Sequence, residues 1–335
     1  MELAFRLAFT YYLLGRFRDA LEMLRVQTPR VEELGDAGLG AEHDFWLSYF
    51  HTHLGNSEEA HRHAHRAIEV AATVGDPFTA GRAHYVLTRE DFWLCRYSRG
   101  IVNGRRAVEL LESSPEWWRW LGHASAWKGL CHLDRGEFED ALRDCRRMNA
   151  IGVERSDPRL QSYSEWNLGW IEATRGNTAQ GVEHCARSLE RSPDPLNSAY
   201  STGWLGFAHD RNGDHALAIA HLERSIASLR GFGYMRLVGW FGAWLADAYL
   251  AAGRAEEARR AAAESLEVSR SVAYPWAIAV GTRAMGRIAE ADGHHAEAAA
   301  LLNEALEQFT GIDARFDAAA TRLDLARPAE GVEAP

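Results

Sequence analysis

A chain of 335 residues that is 47% hydrophobic, 25% charged and 10% aromatic is long enough to bury a large core and too apolar to be disordered or fibrous. The formal net charge is −10 and Lys128 is the only lysine, so no basic face for phosphate neutralisation is expected and a general nucleic-acid partner is excluded. Apolar stretches such as residues 237–246 fall far short of the roughly 20 residues that a membrane span needs, and no secretion signal opens the chain, which makes the cytoplasm the expected compartment.

From the first residues onward the chain repeats itself. Small residues stand at Ala20, Ala60, Gly100, Ala141, Gly181, Ala218, Ala258 and Ala298, with spacings of 40, 40, 41, 40, 37, 40 and 40. Five residues before each stand Gly15, Gly55, Cys95, Gly136, Gly176, Gly213, Gly253 and Gly293. Twelve before each comes another small residue: Ala8, Ser48, Thr88, Gly129, Gly169, Gly206, Ala246 and Gly286. A glycine can end a helix in the left-handed conformation that side chains resist, and small residues let two helices touch. The flanks carry helical spacing, with Leu7, Tyr11 and Leu14 before Gly15 and Ala20, Leu21 and Leu24 after it. The pattern therefore predicts eight helical hairpins and no strands.

The first helix begins almost at Met1 without a capping residue, which leaves room for a partner domain before it. Between hairpins lie Gly75-Asp76-Pro77, Ser156-Asp157-Pro158 and Ser192-Pro193-Asp194-Pro195, where Asp can cap and Pro can open the next helix. The Asp comes three residues early in the last of these, so the second helix of the fifth hairpin should be about a turn shorter. Residues 313–327 form an expected capping helix that buries Phe316, Ala320 and Leu323 on one face, and 328–335 an expected frayed tail.

Trp166-Asn167-Leu168-Gly169 with Gly176 and Gly181, Trp204-Leu205-Gly206 with Gly213 and Ala218, and Leu245-Ala246 with Tyr249, Gly253 and Ala258 resemble the tetratricopeptide repeat. The period near 40 is similar to the long-helix variety found in sensor regions of maltose-regulon-type bacterial activators and beside some bacterial adenylyl cyclases. The resemblance implies an all-α, right-handed solenoid over residues 1–312, with Cys95 and the 37-residue step as departures that could bend the array.

Chemistry is sparse. With its single lysine in Ala126-Trp127-Lys128-Gly129 the chain has no phosphate-binding loop, and H-E-x-x-H, G-x-S-x-G and the dinucleotide fingerprint are absent, so no catalytic residue and no cofactor is expected. Acidic pairs such as Glu58-Glu59 and Glu256-Glu257 follow turn glycines, where helix N-termini favour negative charge. His43, His51, His53, His61, His63 and His65 cluster in the second repeat. Because only His61 and His65 share a helical face, the expectation is a solvated, pH-sensitive face and not a metal site. Cys95, Cys131, Cys145 and Cys185 have no close pairing and read as reduced packing residues.

In the resembled family, two places on the first helix of each hairpin line the concave surface, and here they carry Phe5, Phe45, Tyr85 and Trp166, then Phe9, Tyr49, Trp170 and Phe207. Trp46, Trp127, Trp204 and Trp244, with Asn167, stand on the flank of that surface. Polar residues at matching places include Glu42, His53, Arg82, Arg89, Tyr163, Tyr200, Asp210, Arg211, Asp247, Arg283, Arg287 and Glu290. The candidate binding set is Trp46, Tyr49, His53, Arg82, Arg89, Trp127, Tyr163, Trp166, Asn167, Trp170, Tyr200, Trp204, Phe207, Trp244 and Asp247. An aromatic floor with a few charges suits a peptide, a protein segment or a small effector, because rings bury area while charges fix register. The same rings could instead pack only on neighbouring hairpins. On the groove reading, Trp166→Ala with Trp204→Ala costs binding and leaves helicity intact. Trp117, Trp118 and Trp120 read as bracing of a joint, and Trp93 as either kind. The expected function is a non-catalytic binding module. A sensor region controlling a cyclase, ATPase or transcription-factor domain and a homo-oligomeric scaffold are the alternatives.

Overall fold

A computed structural model describes residues 1–113 and 117–326, so the expected tail at 328–335 and residue 327 lie outside the described residues. Every element among the described residues is a helix. Eight antiparallel hairpins follow one another: α1 (Glu2–Leu13) with α2 (Phe17–Leu34), α3 (Ala37–His53) with α4 (Ser57–Val74), α5 (Pro77–Trp93) with α6 (Tyr97–Leu111), and α7 (Trp118–Asp134) with α8 (Phe138–Glu154). The series continues through α9 (Pro158–Thr174) with α10 (Thr178–Glu190), α11 (Pro195–Arg211) with α12 (His215–Phe232), α13 (Met235–Ala251) with α14 (Ala255–Ser271), and α15 (Pro275–Ala291) with α16 (His295–Gly311). A last helix, α17 (Arg315–Ala326), lies on α16.

The turn chemistry explains the regularity. Each hairpin glycine adopts positive φ, from 69° at Gly15 to 94° at Gly176. Cys95 does the same with φ 56°, so its departure from glycine leaves the backbone path unchanged. At the joints, Asp36, Asp76, Asp157 and Asp194 each accept a hydrogen bond from the backbone N–H three residues on, and Pro77, Pro158 and Pro195 open the helices that follow. The shortened step falls where the spacing places it: α10 has 13 residues against 17 in α8. The small residues permit close helix contact, since a Cβ on Gly169 would sit 2.4 Å from Cys185 Sγ and 2.9 Å from the Gly181 carbonyl oxygen.

The array winds tightly enough to meet itself. The turn at Gly15 packs on Phe232 at the end of α12, the turn at Gly55 packs on Val272 after α14, and the turn at Cys95 shares a cleft with Gly311–Asp313 after α16. The turns of the first three hairpins therefore each meet the end of the fifth hairpin beyond. The accessible surface of 14041 Å² matches the roughly 13,700 Å² of a compact monomer of 37.4 kDa, where an open array would expose far more.

Two sequence expectations change here. The buried face of α17 is Asp317, Ala318 and Thr321, while Leu323 is 68% exposed, because the helix docks through Asp317. Asp317 accepts a 2.9 Å hydrogen bond from Trp276 Nε1 and pairs with Arg283 at 3.1 Å. The histidines of the second hairpin are not a solvated face. His43, His51, His53 and His63 are buried between helices, and of the helix-face pair only His65 is exposed.

Candidate functional site

The tight winding of the array brings the first helices of the hairpins to a common axis. The side chains expected to line an open groove meet there as a continuous column of rings. The column has three zones.

At the N-terminal end the column opens into a cleft of about 450 Å³ lined by Phe5, Phe9, Trp46, Phe78, Arg82, Trp118, Arg119 and Trp120, with Glu2, Arg6, Leu39 and Glu42 at its rim. Arg82 is held against Glu42 at 3.3 Å and Thr79 Oγ1 at 2.9 Å, and its guanidinium lies over the rings of Phe45 and Phe78. Trp120 forms the floor, in edge contact with Phe45, Trp46 and Tyr49 and tilted against Tyr85. It is thus part of the interior column and does more than brace a joint. Of the candidate set, Trp46 and Arg82 belong to this mouth.

Below it lies a narrow chamber of about 20 Å³, enough for one water-sized guest. Arg89, Trp127, Tyr163, Trp166, Tyr200 and Trp204 line it together with Tyr12, Tyr85, Trp93, Tyr234 and Trp240. Trp166 and Trp204 stack in parallel with centroids 4.7 Å apart. Tyr49 and His53 pack behind Arg89, whose Nη2 donates to His53 Nε2 at 3.1 Å and to Tyr234 Oη at 3.2 Å. His53 Nδ1 faces the Tyr49 carbonyl oxygen at 2.7 Å. Burial, reinforced by Arg89, pushes His53 well below its ordinary range, so it stays neutral and accepts.

At the C-terminal end a pocket of about 40 Å³ gathers Trp170, Phe207, Trp244 and Asp247 with Asp134, Asp210, Arg211 and Arg283. Arg287 bridges Asp247 at 3.1 Å and Asp324 at 2.8 Å. Burial beside Asp317 pushes the Asp134 carboxyl well up. Asn167 joins none of the three zones. Its side chain is buried and its Nδ2 donates to the Tyr163 carbonyl oxygen at 2.6 Å.

Residues that the repeat pattern did not single out complete the column: Tyr12, Trp240, Tyr234 and Tyr274. Trp240 occupies the register of Glu42, Arg82, Tyr163 and Tyr200, six residues before the small residue, which is the signal that would have found it. Tyr234 and Tyr274 stand where earlier joints carry the capping Asp, and each is 1% exposed.

Other titratable clusters have structural partners. His51, Glu59 and His63 each place a ligand atom within 4.8 Å of the others, a set that suits a nitrogen-preferring divalent ion. Arg62 Nη2, however, already donates to Glu59 and to His63 Nε2, while His63 Nδ1 meets Asp44 at 2.7 Å. Burial, with His63 beside it, lowers His51 to about 4. Between the ordinary value of 6.5 and about 4 the unfolded chain binds a proton that the folded chain does not, so stability present above 6.5 is lost as pH falls through that window. Urea unfolding should show about 2 kcal/mol less stability at pH 5.0 than at pH 7.5 from this group. His51→Gln should remove that share, and an unchanged pH slope would contradict a buried neutral imidazole. The four cysteines are buried, and burial raises every thiol, Cys95 to about 12, which leaves no reactive thiolate among them. No described helix is long and apolar enough to cross a membrane.

The tetratricopeptide repeat family model matches residues 1–25, 199–224 and 239–264, which fall on the first, sixth and seventh hairpins. No curated protein matches the chain. Among solved structures, a Rap protein complexed with competence and sporulation factor is similar over 97% of this chain and 96% of its own at 12% identity, with a TM-score of 0.65. Aspartyl phosphate phosphatase F from Bacillus subtilis is similar over 85% of this chain and 74% of its own at 15% identity, with a TM-score of 0.59. A signal transduction ATPase with numerous domains and a tetratricopeptide repeat sensor, from Pyrococcus horikoshii, is similar over 84% of this chain and 42% of its own at 14% identity, with a TM-score of 0.53. Eight hairpins share one register, the tetratricopeptide repeat model matches three of them, and the fold is that of a tetratricopeptide-repeat array.

Proposed function

We propose that this protein is a non-catalytic regulatory module that takes a peptide or a protein segment at the N-terminal mouth of its superhelix. The observation that carries the reading is the cleft of about 450 Å³, where the rings of Phe9, Trp46, Phe78, Trp118 and Trp120 surround the paired charges Arg82, Glu42 and Arg119. Rings offer area at low entropy cost, and fixed charges select orientation. A ligand pressing on Trp120 presses directly on the Tyr49 and Tyr85 layer, so occupancy at the mouth is coupled to the packing of the column. The Rap complex with competence and sporulation factor and the sensor-bearing ATPase support a regulatory role for such a fold. The latter also favours the sensor reading, in which the module reports to a cyclase, ATPase or transcription-factor domain. A small effector and homo-oligomerisation stay as finer alternatives within the same proposal.

The test is selection of a random dodecapeptide library on the immobilised protein. Selected clones should lose tenfold or more in affinity for Trp118→Ala and Phe9→Ala, both partly exposed at the mouth, with unchanged circular dichroism. Equal affinity for both variants would overturn the mouth as the binding site.

A further inference from the structure

Arg89 is 2% exposed, lines the narrow chamber and has no carboxylate partner among the described residues. Its Nη2 is used, but Nε and Nη1 are buried without a hydrogen-bond acceptor. The indole nitrogens of Trp93, Trp166 and Trp240, which line the same chamber, are likewise buried and unpaired. That makes five unpaired donor nitrogens on residues lining a space whose walls include no Asp or Glu. A buried guanidinium without a counter-charge is strongly unfavourable, and unpaired buried donors add to the cost. The other interior arginines are neutralised: Arg236 by Glu90, Arg159 by Asp194 and Arg283 by Asp317.

We infer that the chamber is an anion site that holds one monoanionic group against Arg89, either a free halide or the carboxylate end of a ligand. The volume of about 20 Å³ admits a single water-sized guest, and one unpaired guanidinium neutralises one negative charge. A water would satisfy at most two of the donors and bring no charge. Five unpaired N–H donors on residues that line the chamber instead suit a halide or the oxygens of one carboxylate. Tyr49 and Tyr85, which flank Arg89, also pack against Trp120 at the floor of the mouth, so this layer of rings links a ligand at the mouth to Arg89. The carboxylate source rests on the binding role proposed above; the halide source does not.

The test is thermal unfolding of the whole chain in sodium chloride, sodium formate or sodium isethionate at one ionic strength. Chloride raised from 1 to 100 mM should lift the midpoint by roughly 3 °C or more, and isethionate, too large for the chamber, should not. A response to chloride alone assigns a free halide, and a response to formate as well assigns the carboxylate. Arg89→Met should abolish the dependence. Equal midpoints in all three salts, or a dependence that survives Arg89→Met, overturns the site. Should Arg89→Met fail to fold, crystals of the unaltered protein grown in sodium bromide decide the matter: an anomalous peak against Arg89 supports the site and an empty chamber overturns it. A flat salt response with peptide selection intact at the mouth removes the anion site alone, whereas a salt response without mouth-dependent peptides removes the binding role alone.

Discussion

Glu90→Ala should lower the stability of the protein by about 3–5 kcal/mol, the range expected when one partner of a buried ion pair is removed. Glu90 and Arg236 have side chains 0% and 1% exposed, and they meet through two contacts of 2.7 and 3.2 Å. Arg236 also donates to the Thr52 carbonyl oxygen at 3.1 Å and to Ser57 Oγ. The bond joins the seventh hairpin to the second and third, so it fastens one superhelical turn to the next. Without the carboxylate, the guanidinium stays buried and uncompensated, and the hairpins have reason to part so that water can reach it. Urea unfolding followed by circular dichroism measures the loss. Glu90→Leu combined with Arg236→Met should cost less than Glu90→Ala alone, because no charge is left behind. A loss below about 1 kcal/mol for Glu90→Ala would contradict a sealed pair.

Trp204→Ala should cost a similar amount, about 3–5 kcal/mol, through the cavity it leaves. Trp204 is 2% exposed and contacts Trp166, Trp170, Trp240, Phe241 and Trp244, with centroids 4.5–5.5 Å apart. As a residue of an open groove it would be replaceable with little harm to the fold. As the centre of the column it is not, so Trp166→Ala with Trp204→Ala tests stability before it tests binding. Thermal and urea unfolding of Trp204→Ala checks this, and a midpoint equal to that of the unaltered protein would show that the ring does not fill the core.

The hairpins were legible because each depends on a few local residues. Gly15 and its counterparts must be left-handed, Asp76 and Asp157 must cap, and Gly169 must admit Cys185. The early Asp194 even located the short α10. The register of the inward face was legible too, since Tyr49, Arg89, Trp166 and Trp204 all point to the axis. What local pattern does not contain is the rotation from one hairpin to the next. That angle decides whether Gly15 ever reaches Phe232, and therefore whether the aromatic face is a groove or a core. The burial of His51 and His63 was hidden for a related reason. A helical wheel of α4 alone does not show α3 closing over it, with Asp44 meeting His63. On α17, the apolar face of Phe316, Ala320 and Leu323 gives no sign that the helix docks through Asp317, whose partners Trp276 and Arg283 lie on α15.

Small-angle X-ray scattering of the unliganded chain tests the closed superhelix most directly. A chain of 335 residues wound so that its first three hairpin turns rest on the sixth, seventh and eighth hairpins should give a radius of gyration of about 20 Å and the scattering of a compact particle. A radius larger by roughly a quarter or more, with the profile of an extended array, would contradict the closure and return the aromatic column to the walls of an open groove.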